Sequence, residues 1–145
     1  MKLKSIRCFQ ANLTKNLLVP KQFYLWTAIA WSGLIVFFCL IKSSDIPVVQ
    51  ITNLDKVVHA FFHLVFTSLW FLFFKKQINS SAVFKPLMFS FLFSIFFGIT
   101  IEIAQALFTT TRKGDLFDVL ANTSGATLAA CIILLFNQYT RINKI

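Results

Sequence analysis

Residues 102–125 read EIAQALFTTTRKGDLFDVLANTSG, and the fold turns on how this stretch is read. Its first residues close a long apolar run, its last residues open another, and a polar turn joins the two. Three of the chain's five carboxylates, Glu102, Asp115 and Asp118, fall inside it. A chain this poor in acid has set one carboxylate within an apolar run and two more beside the next, where burial of charge is unfavourable.

Outward from that stretch, the 145 residues are 57% hydrophobic, 17% aromatic and 13% charged, with a mean hydropathy of +0.75. That composition is too apolar for an ordinary soluble domain and points to a membrane protein. Four apolar segments stand out, at about 22–41, 57–74, 84–108 and 119–136, each close to the ~17–25 residues a spanning helix needs. In lipid a helix satisfies its own backbone, and the segments lack the period-2 alternation of a membrane β-strand. The expectation is an all-α membrane protein with four transmembrane helices in an antiparallel bundle over 22–136. A basic arm, 1–21, precedes the bundle and a short tail, 137–145, follows it.

Charge sets the expected orientation. Lys2, Lys4, Arg7, Lys15 and Lys21 in the arm, Lys75, Lys76 and Lys85 in the second connection, and Arg141 and Lys144 in the tail fall on one side. Lys42, Lys56, Arg112 and Lys113 fall on the other. The positive-inside rule then puts both termini in the cytoplasm. The formal net charge of +9 reads as a topology signal, and no nucleic-acid partner is expected. Leu3, Ile6, Phe9, Leu13 and Leu17 among the bases of the arm fit either a solvated leader or a weak amphipathic helix on anionic headgroups. With no small-x-small cleavage site after it, the first span reads as an uncleaved anchor. Cys8, Cys39 and Cys131 form neither a CxxC pair nor a zinc spacing and read as small buried hydrophobes.

In this topology every acid lies on the outer half, Asp45 and Asp55 before the second span and the other three in the opening stretch. At about 1.5 Å per residue, Glu102 lies roughly 9 Å inside the outer boundary, His59 and His63 roughly 6 and 12 Å beyond Asp55, and Asn122 roughly 6 Å below Asp118. Asp55, His59 and His63 form one helical stripe; Asp118, Asn122, Gly125 and Ala129 form another; Glu102 and Gln105 share a face. An ionised side chain at the centre of a spanning helix costs about 2.5–3.5 kcal/mol on insertion scales, so these faces should turn inward. Lys56, Arg112 or a protonated His59 would pair with Glu102, with Asn122 and Gln105 as neutral donors. Ala121, Gly125 and Ala129 make a small-xxx-small ladder for close helix packing. Thr52 with Asp55 resembles a capping box, and Asp115 suits an N-cap. His59 and His63 at i, i+4 near Glu102 and Asp118 are weak metal candidates, but the glutamate of HExxH is missing, so neither metal nor cofactor is assigned.

Glu102-x-x-Gln105 followed by Asp115-x-x-Asp118-x-x-x-Asn122-x-x-Gly125 resembles the pattern of the VanZ-like family. The run Asp55-Lys56-x-x-His59 resembles the D-K-x-x-H version found in short members. The resemblance covers about 55–130 and implies a small bacterial inner-membrane protein of four or five spans. The family is named for a member that gives modest resistance to the glycopeptide teicoplanin. His63 departs from the pattern, which carries an aromatic there, often tyrosine. Arg112 lies where the family loop is often basic, and Lys113 would serve equally.

Three classes of function fit the constellation. The polar residues would bind the head group of a cell-envelope component, such as a lipid-linked wall precursor, or shield it from a drug. Lys56, Arg112, Lys113 and two helix N-termini suit phosphate, while Asp55, Asp115 and Asp118 oppose it. Alternatively, Glu102, Asp118 and His59 would act as acid and base in an intramembrane enzyme, for which no nucleophile motif is visible. As a third class, the network would fix helix register in a subunit of an envelope complex. Membrane lipids are the expected surroundings, and a homo-oligomer would fit the small size.

Overall fold

Backbone amides and carbonyls in hydrocarbon have no water to bond, so each long apolar segment closes its own hydrogen bonds as a helix. The computed structural model describes residues 20–40, 54–78, 82–108 and 115–142. They form α1 (Lys21–Leu40), α2 (Leu54–Ile78), α3 (Phe84–Phe108) and α4 (Leu116–Ile142), with no strand among the described residues. All four helices are long and apolar enough to cross a membrane. The chain is therefore a multi-pass membrane protein.

α2 and α4 run past the expected 57–74 and 119–136 at both ends. α4 continues to Ile142 through residues assigned to the tail. Helix propagation adds a hydrogen bond for each further residue and does not stop where hydropathy falls. Residues 1–19 of the basic arm, with Cys8, and the connections holding Lys42, Asp45, Thr52, Arg112 and Lys113, lie outside the described residues; Lys21 opens α1.

Helix starts are locally specified. The Phe23 amide donates to the Pro20 carbonyl at 2.9 Å ahead of α1. Pro86 falls in the first turn of α3, where a missing N–H breaks no helical bond. Asp115 caps α4, as described below.

α2 is the hub of the bundle, packing on α1, α3 and α4, while α3 also touches α1 and α4; α1 does not reach α4. Successive helices are antiparallel, so that Phe74 near the end of α2 meets Phe89 near the start of α3. Ile35, Cys39, Phe66 and Ile101 form a core flanked by Trp31, Phe62, Trp70 and Phe97. Phe66 and Phe97 stack with centroids 4.6 Å apart. Two indoles stitch α1 to α2, Trp31 Nε1 donating to the Phe62 carbonyl at 3.0 Å and Trp70 Nε1 to Ser32 Oγ at 3.3 Å.

The outer faces carry Trp26, Phe37, Phe84, Phe96, Leu107 and Phe136, all strongly exposed. On a soluble monomer this would be an aggregation surface; against lipid it is the ordinary boundary. The thiols show the same logic. Cys39 is buried, whereas Cys131, expected inside, is exposed on α4, because a small hydrophobe is equally at home in the core and in lipid.

α2 and α4 approach closely at one point. A Cβ on Gly125 would run into the backbone of Ala60, while Ala126 and Ala129 are buried beside it. Close backbone approach through small residues is how membrane helices gain van der Waals contact. A Cβ on Gly33 of α1 would meet nothing within 4 Å. Gly125→Ala should therefore lower the thermal midpoint of the detergent-solubilised protein, by the equivalent of about 1–3 kcal/mol for overpacking. Gly33→Ala should hold or raise it, since alanine is favoured over glycine in a helix by about 0.8–1 kcal/mol. Circular dichroism melts of the pair check this, and equal shifts would rule out the Gly125 contact as the cause.

Candidate functional site

α2 and α4 begin, and α3 ends, at the same end of the bundle, and their polar residues meet there. Asp115 opens α4: its Oδ1 accepts from the Phe117 amide at 2.9 Å, and its carbonyl accepts from the Asp118 amide at 3.0 Å. This is an N-cap, which satisfies amides the first turn cannot pair internally. The Asp115 amide in turn donates to Glu102 Oε2 at 3.2 Å. Glu102, six residues before the end of α3, thereby ties that helix to the start of α4.

Among the described residues, Lys56 provides the positive charge here. Its Nζ lies 3.1 Å from Asp55 Oδ2, 3.2 Å from Asp115 Oδ2 and 3.3 Å from Asp118 Oδ1. One ammonium thus bridges the first turn of α2 to the start of α4, using all three donors. The Phe117 amide, and then Lys56, hold the Asp115 carboxyl below the ordinary carboxylate range.

Below Lys56 the cluster is buried. His59 Nδ1 lies 3.1 Å from Asn122 Oδ1, and an amide oxygen only accepts, so Nδ1 carries the hydrogen. The ring stands between two carboxylates: Nδ1 is 3.9 Å from Glu102 Oε1 and Nε2 is 3.9 Å from Asp118 Oδ2. His59, Glu102 and Asn122 are 6%, 5% and 2% exposed. Two buried atoms here, Glu102 Oε1 and Asn122 Nδ2, have no hydrogen-bond partner. Among the described residues, one donor atom each from His59, Glu102 and Asp118 lies within 4.8 Å of the others, close enough that they could hold a metal ion.

Other residues singled out in the sequence go elsewhere. His63, one helical turn deeper, has Nδ1 2.8 Å from Ser94 Oγ and packs against Phe66 and Phe97. It does not join His59 in a metal set, because at that depth α3 presents a hydroxyl and aromatic rings. Gln105 Nε2 donates to the Cys39 carbonyl at 2.9 Å and so fastens α3 to α1. Asp55 stays at the exposed rim. Arg112 lies outside the described residues, and the partners of Glu102 are the Asp115 amide and His59 rather than Lys56. Ala121, Gly125 and Ala129 line the close approach of α4, with Ala121 only half-buried.

Sequence reasoning passed over Ser94 and Gly98. Ser90, Ser94, Gly98 and Glu102 recur every fourth residue along α3, and all are buried. That small and polar stripe inside a phenylalanine-rich span was a readable signal for the inward face. Gly98 makes room: a Cβ there would stand 3.0 Å from His63 Cε1 and 3.1 Å from Asn122 Nδ2. A separate groove of about 370 Å³ between α2 and α4, lined by Phe71, Lys75, Ile133 and Asn137 among others, holds none of the cluster residues.

The carboxylate, imidazole and amide positions of this cluster are those of the pattern noted in the sequence, and the VanZ/LLP1 family model matches residues 6–137. The chain belongs to the VanZ/LLP1 family. Nothing among curated proteins or solved structures matches it. In this VanZ/LLP1 chain the matched span takes in α1, α2 and α3, and α4 as far as Asn137.

Removing the bridging ammonium tests the charge arrangement. Lys56→Gln should lower the thermal midpoint at about neutral pH, because the three carboxylates then repel one another unanswered. Asp115 has a lowered pKa in the fold, so its stabilisation is full above the unfolded value near ~3.9 and is lost as pH falls through the lower folded value. The gap between wild type and variant should accordingly close on acidification below about pH 4. A gap constant from neutral to acid would show that Lys56 acts through packing alone.

Proposed function

We propose that this VanZ/LLP1 chain is a bacterial cytoplasmic-membrane protein with both termini inside. In this reading the His59, Glu102, Asp118 and Asn122 cluster binds the polar part of a cell-envelope component at the outer leaflet and so shields it from a glycopeptide. The observation that carries the reading is the pair of buried atoms without partners, Glu102 Oε1 and Asn122 Nδ2. Each unmet buried group costs about 1–3 kcal/mol. A hydroxyl or an amide, both donor and acceptor, would offset both at once, and the sugar and peptide portions of a lipid-linked wall precursor are rich in these groups. The basic residues expected on the inner side, Lys75 and Lys76 in the last turn of α2 among them, support the orientation.

The described cluster is a poor direct site for phosphate. Lys56 is already shared among Asp55, Asp115 and Asp118, and Glu102 adds a fourth acidic group. Neutral hydrogen-bonding groups, or cationic ones, suit it better. A second reading, an acid–base enzyme, draws on one feature: His59 has a carboxylate within 3.9 Å of each ring nitrogen. That geometry suits proton transfer between imidazole and a substrate hydroxyl.

Native mass spectrometry of the purified protein with its bound lipids separates these readings. Wild type should retain a lipid-linked envelope component, and Glu102→Gln and Asp118→Asn should accumulate normally yet bind it at least about tenfold more weakly, a loss of about 1.4 kcal/mol. In a teicoplanin-sensitive host the same variants should lose any tolerance that wild type confers. Variants that keep both the lipid and the tolerance would refute the binding role, and variants absent from the membrane would make the cluster a structural network.

A further inference from the structure

We infer that His59, Glu102 and Asp118 form a site for a divalent cation of the zinc class, held between α2, α3 and α4. The inference goes beyond the binding role above and does not depend on which envelope component is bound.

Four observations carry it. First, an imidazole and two carboxylates from three separate helices offer donor atoms within 4.8 Å of one another. Imidazole with carboxylate is a ligand set for zinc and its first-row neighbours, and three protein ligands leave a position open. Zinc–ligand bonds of about 2.0–2.2 Å require these atoms to close in somewhat.

Second, the His59 tautomer is set for coordination. Nδ1–H donates to Asn122 Oδ1 at 3.1 Å, which leaves the Nε2 lone pair free on the side where Asp118 Oδ2 stands 3.9 Å away. A metal-binding imidazole characteristically donates its other N–H to a fixed oxygen. Asn122 supplies that oxygen.

Third, Glu102 Oε1 is buried and has no hydrogen-bond partner; the ring atom 3.9 Å from it is Nδ1, so this oxygen must turn toward the Nε2 side to join Asp118 on the metal. Its other oxygen is fixed by the Asp115 amide, so the carboxylate is oriented with one acceptor left unmet.

Fourth, acidic groups outnumber bases among the described residues of the site. Asp55, Asp115 and Asp118 share Lys56, and Glu102 adds a fourth carboxyl bonded to the Asp115 amide instead, a balance that favours a cation. Lys56 engages Asp118 through Oδ1, so Oδ2 remains for the metal.

Zinc alone tests the site, on the full chain purified in detergent and washed with chelator. Wild type should take up about one zinc per chain by elemental analysis, and cobalt in its place should give visible ligand-field absorption. Glu102→Gln and Asp118→Asn, isosteric changes whose folding is checked by circular dichroism, should hold less than about a tenth of that metal. Asn122→Ala, which removes the oxygen that orients His59, should weaken zinc binding about 10–100-fold. His63→Gln should bind zinc as wild type does. Wild type that takes up no zinc and shows no cobalt band would overturn the inference, as would zinc lost in His63→Gln but kept in Asp118→Asn. Because no envelope lipid enters the measurement, either result leaves the binding role to its own experiment.

Discussion

A carboxylate placed within a membrane-crossing helix must be answered by groups from other helices, since lipid offers none. Glu102 is that carboxylate, and the arrangement of three helix ends follows from it. Its Oε2 takes the amide of Asp115, which fixes where α4 starts relative to α3. Its Oε1 faces His59, which sets the rotation of α2. Lys56 then closes the rim by joining Asp55 to Asp115 and Asp118. The polar end of the bundle is in this sense a set of responses to one buried acid, built in a medium where unmet polar groups are unfavourable.

The remainder of the bundle makes this convergence possible through size rather than charge. Gly125 lets α4 lie against the backbone of Ala60, and Gly98 leaves room for His63 and Asn122. Serines at 90 and 94 keep the inward face of α3 narrow. Bulk is concentrated where α1, α2 and α3 meet, in Trp31, Phe66, Trp70 and Phe97. The result is a tightly packed polar end beside an aromatic core. The cluster residues sit on rigid helical turns, which suits a site whose donors must hold fixed positions. Its two unpartnered buried atoms are the feature that packing alone leaves unexplained.

Much of this was legible in the sequence because hydropathy and helical periodicity are local properties. The number of spans, the membrane setting and the inward faces of α2 and α4 follow from run lengths and from spacings such as Asp55–His59 and Asp118–Asn122. Spacing also placed Glu102, His59 and Asn122 at one depth, and the pairing of the family motifs pointed to the same residues. Helix ends were read less well, since propagation through Asn137–Ile142 costs little and leaves no mark in hydropathy. The small and polar stripe of α3 was readable but masked by phenylalanine on every side.

What tertiary structure alone decided is which partner each polar group takes. Spacing puts His59 and His63 on one stripe, yet one faces two carboxylates and the other a serine, because α3 presents different residues at depths a turn apart. Gln105 shares a face with Glu102 in the sequence but turns to the Cys39 carbonyl, since α1 packs on that side of α3. Lys56 was a candidate both for binding anions and for pairing with Glu102, and it is instead engaged by Asp115 and Asp118, some sixty residues away. The sequence by itself determined that Glu102, His59 and Asn122 would be buried near one level. Their pairing depends on helix rotation and crossing, which arise from contacts between distant segments and are not encoded in the period of any one of them.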